Sequence, residues 1–290
     1  MSVAPTISRA AFGTLADGKA IEAYSLANGH GLEARILIFG GTLQSLRVPD
    51  AKGDAADVVL GFDSIEGYEG EHPYFGGLIG RYGNRIARGR FLLDGREHVL
   101  HCNNGPNHLH GGARGFDRVV WSAEPELTPE EARLHLRYVS ADGEEGYPGA
   151  LACVVVYAIT RANELRIDYE ARTGRPTLVN LTHHSYFNLS GHPRNGIREH
   201  RLSVDADAYL PVDQTLIPLG EAQSVAGTPF DLRTPVTLDE RLASFDSQLQ
   251  IGRGFDHNFV LNGWNADTRL SRRCASVSYT HLTLPTIYSV

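Results

Sequence analysis

No apolar run in the 290 residues is long enough to cross a bilayer. The opening stretch M-S-V-A-P-T-I-S-R-A-A-F-G has neither the basic start nor the continuous apolar core of a signal peptide. Cysteine is scarce. Cys102, Cys153 and Cys274 stand far apart with no C-x-x-C pair, so neither a zinc cluster nor a disulfide framework is signalled. Positive charge is in deficit, with 27 Lys and Arg against 34 Asp and Glu and a formal net charge of −7, which argues against a nucleic-acid footprint. No acidic pair of the kind a two-carboxylate glycosidase needs stands out. Internal repeats, low-complexity segments and a linker are missing too, which favours one domain over two. These absences set the expectation of a soluble, cytoplasmic protein with no nucleic-acid or membrane partner.

What is present reads mainly as strand. G-L-E-A-R-I-L-I-F-G-G-T-L-Q-S-L-R-V-P gives two β-rich runs broken at Gly40-Gly41. G-R-F-L-L-D-G-R-E-H-V-L-H has the form of a hairpin turning at Asp94-Gly95. R-L-H-L-R-Y-V-S alternates, A-C-V-V-V-Y-A-I-T has the composition of a buried strand, and E-L-R-I-D-Y-E-A-R alternates again. Asp142 to Gly149 is expected to be a loop. Helix is expected only in short pieces, at Asp63 to Glu69 and Thr237 to Ser247. With 31 Gly and 14 Pro punctuating short strands, the fold class is all-β, a large antiparallel β-sandwich.

Five polar segments exceed what a plain sandwich needs. In G-R-Y-G-N-R-I-A-R-G-R-F, Asn84 and Arg85 sit between glycines, where an arginine forks two donors onto vicinal oxygens or simply solvates a turn. In N-N-G-P-N-H-L-H-G-G, His108 and His110 share a face if extended. That spacing suits a metal pair, a single histidine aimed at a polar ligand, or two structural histidines. In T-H-H-S-Y-F-N-L-S-G, Thr182, His184, Tyr186 and Asn188 share one side of an extended chain, and His183, Ser185, Phe187 and Leu189 the other. Hydrogen-bonding groups beside aromatic faces are what sugars are bound by, which favours His184 over His183 as the site residue. G-T-P-F-D-L-R offers Asp231, and G-F-D-H-N-F-V-L offers Asp256, His257 and Asn258; each also serves as turn or cap chemistry.

Taken together, and in this order, these segments resemble the aldose 1-epimerase (galactose mutarotase) family, from about Gly31 to Leu261. The resemblance implies a galactose mutarotase-like β-sandwich with a sugar groove. It also implies interconversion of the α and β anomers of a free aldose, with no cofactor and no metal. By the same resemblance His184 is the general acid, and His110 holds and polarises the substrate near the reacting end. Asn84, Arg85, Tyr186 and Asp231 then bind the sugar. A histidine suits the acid role because it gives and retakes a proton near neutral pH. His183 stands where many relatives carry Asn.

The family's general base is a glutamate in a C-terminal segment like E-T-Q-x-x-P-D, and no such segment occurs in this sequence. V-S-Y-T-H-L-T-L-P-T, from Val277, reads instead as the translation of GTC TCT TAT ACA CAT CTG ACG CTG CCG ACG, which resembles a transposase adapter used in sequencing libraries. The expectation is therefore an incomplete mutarotase-like domain over 1–276, a non-native tail over 277–290, and little or no activity in the chain as written. Rival readings are a non-catalytic carbohydrate-binding sandwich, a relative acting on hexose 6-phosphates, and a cupin-like metal protein using His108, His110 and His184.

Overall fold

The computed structural model of the protein describes residues 4–192 and 194–263, and the backbone of 274–277. They fall into two compact units, one ending at Phe187 and the other beginning at Asn188. In the first unit β1 (Thr6–Thr14), β2 (Ala20–Ala27), β3 (Glu33–Leu37), β4 (Leu43–Pro49) and β5 (Ala55–Asp57) form one sheet in chain order, each strand antiparallel to the next. The break between β3 and β4 falls at Gly40-Gly41, as read from the sequence. After the short helix α1 (Ile65–Glu69) come two-residue strands β6 (Leu78–Ile79) and β7 (Arg85–Ile86). The hairpin of β8 (Arg90–Leu93) and β9 (Arg96–Val99) turns through Asp94 at φ 50° and Gly95 at φ 73°, the left-handed pair its two-residue loop requires. β10 (His108–Leu109) returns to pair with β7.

The second sheet of this unit runs β11 (Ser122–Leu127), β12 (Glu131–Ser140), β13 (Leu151–Thr160) and β14 (Leu165–Thr173), all antiparallel. The alternation seen in β12 is carried out: Ala132, Leu134 and Leu136 are fully buried, while Arg133, His135 and Arg137 take the wetter side. β2 lies against β12 and β13, so the two sheets form a sandwich. Its filling includes Leu26, Ile36, Leu134, Leu136 and Tyr157, all with no solvent exposure. Each such burial stabilises by about 1.5–3 kcal/mol. Polar ties cross the same layer. The Asn28 amide donates to the Thr160 carbonyl at 3.1 Å, and the Tyr157 hydroxyl donates to the Gly41 carbonyl at 2.7 Å. β15 (Thr182–His183) closes the unit by pairing with β6.

The second unit holds β16 (Arg201–Val204), β17 (Ala206–Tyr209), β18 (Gln223–Ser224), β19 (Val236–Thr237), α2 (Leu238–Leu242), α3 (Ser247–Gly252), β20 (Phe259–Leu261) and β21 (Cys274–Val277). β16 lies between β19 and β21, and β17 between β18 and β20. Tyr209 stacks on Phe230 with ring centres 4.1 Å apart, beside Val225 and Leu249. The short helix expected within Thr237 to Ser247 is α2, and a further helix, α3, follows from Ser247. Asp246 accepts hydrogen bonds from the backbone N–H groups of Gln248 and Leu249, and so starts α3 afresh. The expected non-native tail at 277–290 lies, past Val277, outside the described residues. No helix among the described residues is long and apolar enough to cross a membrane.

Candidate active site

Four short backbone pairings bring the site residues of the first unit together. β15 places His183 opposite Leu78, and one step on the pairing continues: the His184 N–H donates to the Gly77 carbonyl and the Gly76 N–H to the His184 carbonyl, both at 3.0 Å. Tyr186 is tied by its carbonyl to the Leu60 N–H. β7 and β10 set Arg85 opposite Leu109, and the His110 N–H donates to the Asn84 carbonyl at 3.1 Å. The strand alternation read from T-H-H-S-Y thus holds. His184 faces the site, while the His183 ring turns inward to meet Tyr157 edge-on at 5.8 Å.

His110 and His184 stand ring to ring, 5.1 Å between centres and 84° between planes. Tyr74 packs on both, at 4.7 Å and 77° to His110 and at 5.5 Å and 37° to His184. Tyr186, 36% exposed, flanks His184 at 5.2 Å and meets Phe75 edge-on. Tyr74 was not singled out in the sequence. Its only signal there is a tyrosine placed before F-G-G.

The tautomer of His110 follows from its neighbour. The Asn84 backbone N–H donates to Nδ1 at 2.9 Å, so Nδ1 is the bare acceptor and the ring proton sits on Nε2. Burial pushes the His110 pKa down to about 3, helped by His184 and by the Arg85 cation. His110 is therefore a neutral N–H donor across the whole physiological range. Its backbone is left-handed, φ 51°, and so are Asn84 at 68° and Tyr74 at 62°. Non-glycine residues take this region at some cost, and such residues gather at functional sites. Gly111 permits the turn: a Cβ there would lie 1.7 Å from the Gly80 carbonyl oxygen.

The rest of N-N-G-P-N-H-L-H-G-G is scaffolding for that one imidazole. The Asn103 side chain donates to the carbonyls of Leu109 and Gly112, both at 2.9 Å, and accepts from the Leu109 N–H at 2.7 Å. Asn104 accepts from Arg85 Nε at 3.0 Å, which aims the guanidinium; the Asn84 side chain accepts from the Arg85 N–H at 2.8 Å. His108 is buried, with Nδ1 on the His101 carbonyl and Nε2 on the Tyr147 hydroxyl, both at 2.7 Å. Both of its ring nitrogens are occupied, so His108 and His110 do not act as a metal pair. Among the described residues no cluster of three or more His, Cys, Asp or Glu has a metal-binding arrangement.

A polar cleft of about 510 Å³ reaches this group at Tyr74 and is lined also by Glu71, Asn103, Asp117 and Arg118. Burial pushes the Asp117 carboxyl up to about 6, opposed by Arg118, whose Nε lies 3.3 Å away. Arg118 in turn donates to the Tyr68, Glu69 and Gly70 carbonyls and so closes the end of α1. Asp231 belongs to the second unit. Arg233 grips it in a fork, at 2.9 and 2.7 Å, which holds its carboxyl below the usual range. His257 there contacts Phe230 and Gln248.

An antiparallel β-sandwich that carries paired imidazoles, a poised arginine and exposed aromatic faces has the equipment of a carbohydrate-acting protein. The particular family is settled by comparison. The sequence model of the aldose 1-epimerase family matches residues 22–287. Galactose mutarotase of Bos taurus is 46% identical over 275 residues, covering 94% of this chain and 76% of that protein. Aldose 1-epimerase of Escherichia coli (strain K12) is 36% identical over 265 residues, covering 88% and 75%. The crystal structure of galactose 1-epimerase from Lactobacillus acidophilus NCFM superposes with a TM-score of 0.83 at 32% identity, covering 94% of this chain and 77% of that one. The chain belongs to the aldose 1-epimerase family and is an isomerase of that class.

Proposed function

We propose that the chain interconverts the α and β anomers of a free aldose of the glucose or galactose type, by acid–base ring opening and reclosure at the His110–His184 pair. The carrying observation is that pair: one imidazole fixed as a neutral Nε2–H donor, the other at right angles to it beside two tyrosines. His184 protonates the ring oxygen as the anomeric hydroxyl loses its proton, which breaks the bond between anomeric carbon and ring oxygen. The open-chain aldehyde rotates. His184 then takes the proton back as the ring hydroxyl attacks the other face of the aldehyde, while the base that accepted the anomeric proton returns it to the carbonyl oxygen. His110 donates its Nε2–H to a sugar oxygen near the reacting carbon without changing charge. No described residue is assigned the base that removes the anomeric proton.

Arg85 and Asn84 hold sugar hydroxyls, and Tyr186 offers a ring face. Hydrogen bonds to a charged group such as Arg85 contribute about 1.5–3 kcal/mol each. A cytoplasmic setting goes with this reading and is supported by Cys102 and Cys153 being free thiols. The test is polarimetry on freshly dissolved α-galactose. Little rate is expected of the chain as written, whose base is unassigned, and whatever rate above buffer it shows is expected to vanish in His184→Ala. Sugar binding with no rate in either protein would favour a carbohydrate-binding module instead.

A further inference from the structure

The Tyr74 ring packs on both histidines, with centres 4.7 Å from His110 and 5.5 Å from His184. We propose that Tyr74 is a positioning residue of the anomer-exchanging site, its ring acting as the wedge that keeps the imidazoles of His110 and His184 at right angles. The inference rests on the function proposed above and adds a residue to it.

The segment around Tyr74 is built to hold a ring in one place. Residue 74 is left-handed, and the Gly77 N–H closes a turn onto its carbonyl at 3.1 Å. On one side the Phe75 N–H is held by His72 Nδ1 at 3.2 Å. On the other, Gly76 lies so close to the Leu43 backbone that a Cβ would sit 2.2 Å from its carbonyl oxygen. Main chain and neighbours thus fix the ring before any substrate arrives. The Tyr74 hydroxyl makes no hydrogen bond among the described residues, so its contacts with the histidines are those of the ring. Without the ring, His184 loses a tyrosine neighbour and His110 loses the face it meets edge-on. Aromatic pairs of this kind favour specific relative orientations, and a misplacement of about 1 Å in a reacting group costs about a hundredfold in rate.

The experiment compares Tyr74→Phe, Tyr74→Ala and Tyr74→Leu with the parent chain by polarimetry on α-galactose. In parallel, the ring resonances of His110 and His184 are followed by NMR on histidine-labelled protein. Tyr74→Phe is expected to keep kcat within about twofold and to leave both ring resonances in place. Tyr74→Ala is expected to lose about a hundredfold in kcat with KM little changed, and to move both ring resonances. Tyr74→Leu, which fills most of the space without an aromatic face, should follow Tyr74→Ala and carries the test if the alanine variant does not fold. Unmoved ring resonances in the alanine or leucine variant overturn the proposal, even where turnover is too slow to follow. So does a Tyr74→Phe loss as large as that of Tyr74→Ala, or a rise in KM at constant kcat. Retention of rate in His184→Ala overturns the proposed function instead. Loss there, with none in Tyr74→Ala, removes only the wedge.

Discussion

Adjacent histidines in a strand are the simplest residue-scale test of the alternation rule, and His183 and His184 separate as it demands. The partner turned inward should show itself in stability. His183 Nε2 is shielded from solvent and has no hydrogen-bond partner among the described residues, and burial pushes the ring from 6.5 down to about 4, with His184 adding to the shift. A folded-state value below the unfolded one means that the unfolded chain takes up the proton first. The stability in question is present above about pH 6.5 and is lost as the pH falls toward 4. Its contribution to the slope is at most about 1.4 kcal/mol per pH unit. His110 adds in the same direction, while Asp117, raised to about 6, works against it between pH 4 and 6. His183→Asn should therefore flatten the fall in urea-unfolding free energy between pH 6.5 and 5 relative to the parent. An unchanged slope would show that His183 titrates normally. The face of each histidine was legible because it depends only on period. Tyr74 was not, because a turn over residues 72–77 places it, and turns have no period to read.

At the scale of elements, the site is assembled by strands only two residues long, and these depend on side chains for definition. The Asn103 amide makes three hydrogen bonds across the turn that delivers His110, to Leu109 twice and to Gly112 once. Asn103→Ala leaves those backbone groups to water or to nothing, at a cost of about 1–3 kcal/mol. It also frees the peptide that presents His110. The expected outcome is a lowered denaturation midpoint together with a fall in anomerisation rate, read by urea titration and polarimetry on the same sample. A drop in stability alone would mean that β7 and the Asn84 backbone hold His110 without help. The longer elements were legible in advance: the Asp94-Gly95 hairpin, the Gly40-Gly41 break and the alternating β12 all follow from local chemistry. The pairing of β6 with β15, and the resulting approach of residues 74–77 to His184, joins positions about a hundred apart in sequence. Short strands carry too little pattern to announce such partners.

For the whole molecule, the question is whether the charges or the sandwich filling hold the sheets. The outer side of β11–β14 carries a dense set of ion pairs, among them Glu124–Arg137, Glu126–Arg133 and Glu131–Arg166. They are conspicuous and mostly wet, with side chains of Glu124 and Arg137 70% and 49% exposed. Exposed pairs of this kind contribute no more than about 1 kcal/mol, and less in salt. The inner side of the same strands carries Leu134 and Leu136, each without exposure and facing the first sheet. Truncating such a residue removes transfer free energy and leaves a cavity that a two-layer core cannot collapse, about 2–5 kcal/mol. Leu136→Ala should accordingly lower the unfolding free energy several times more than Glu124→Ala, and 1 M sodium chloride should shrink only the Glu124 effect. Comparable losses for the two variants would place the stability of the sheet in its charged outer network. The alternation that exposes Arg137 while burying Leu136 would then serve solubility more than packing.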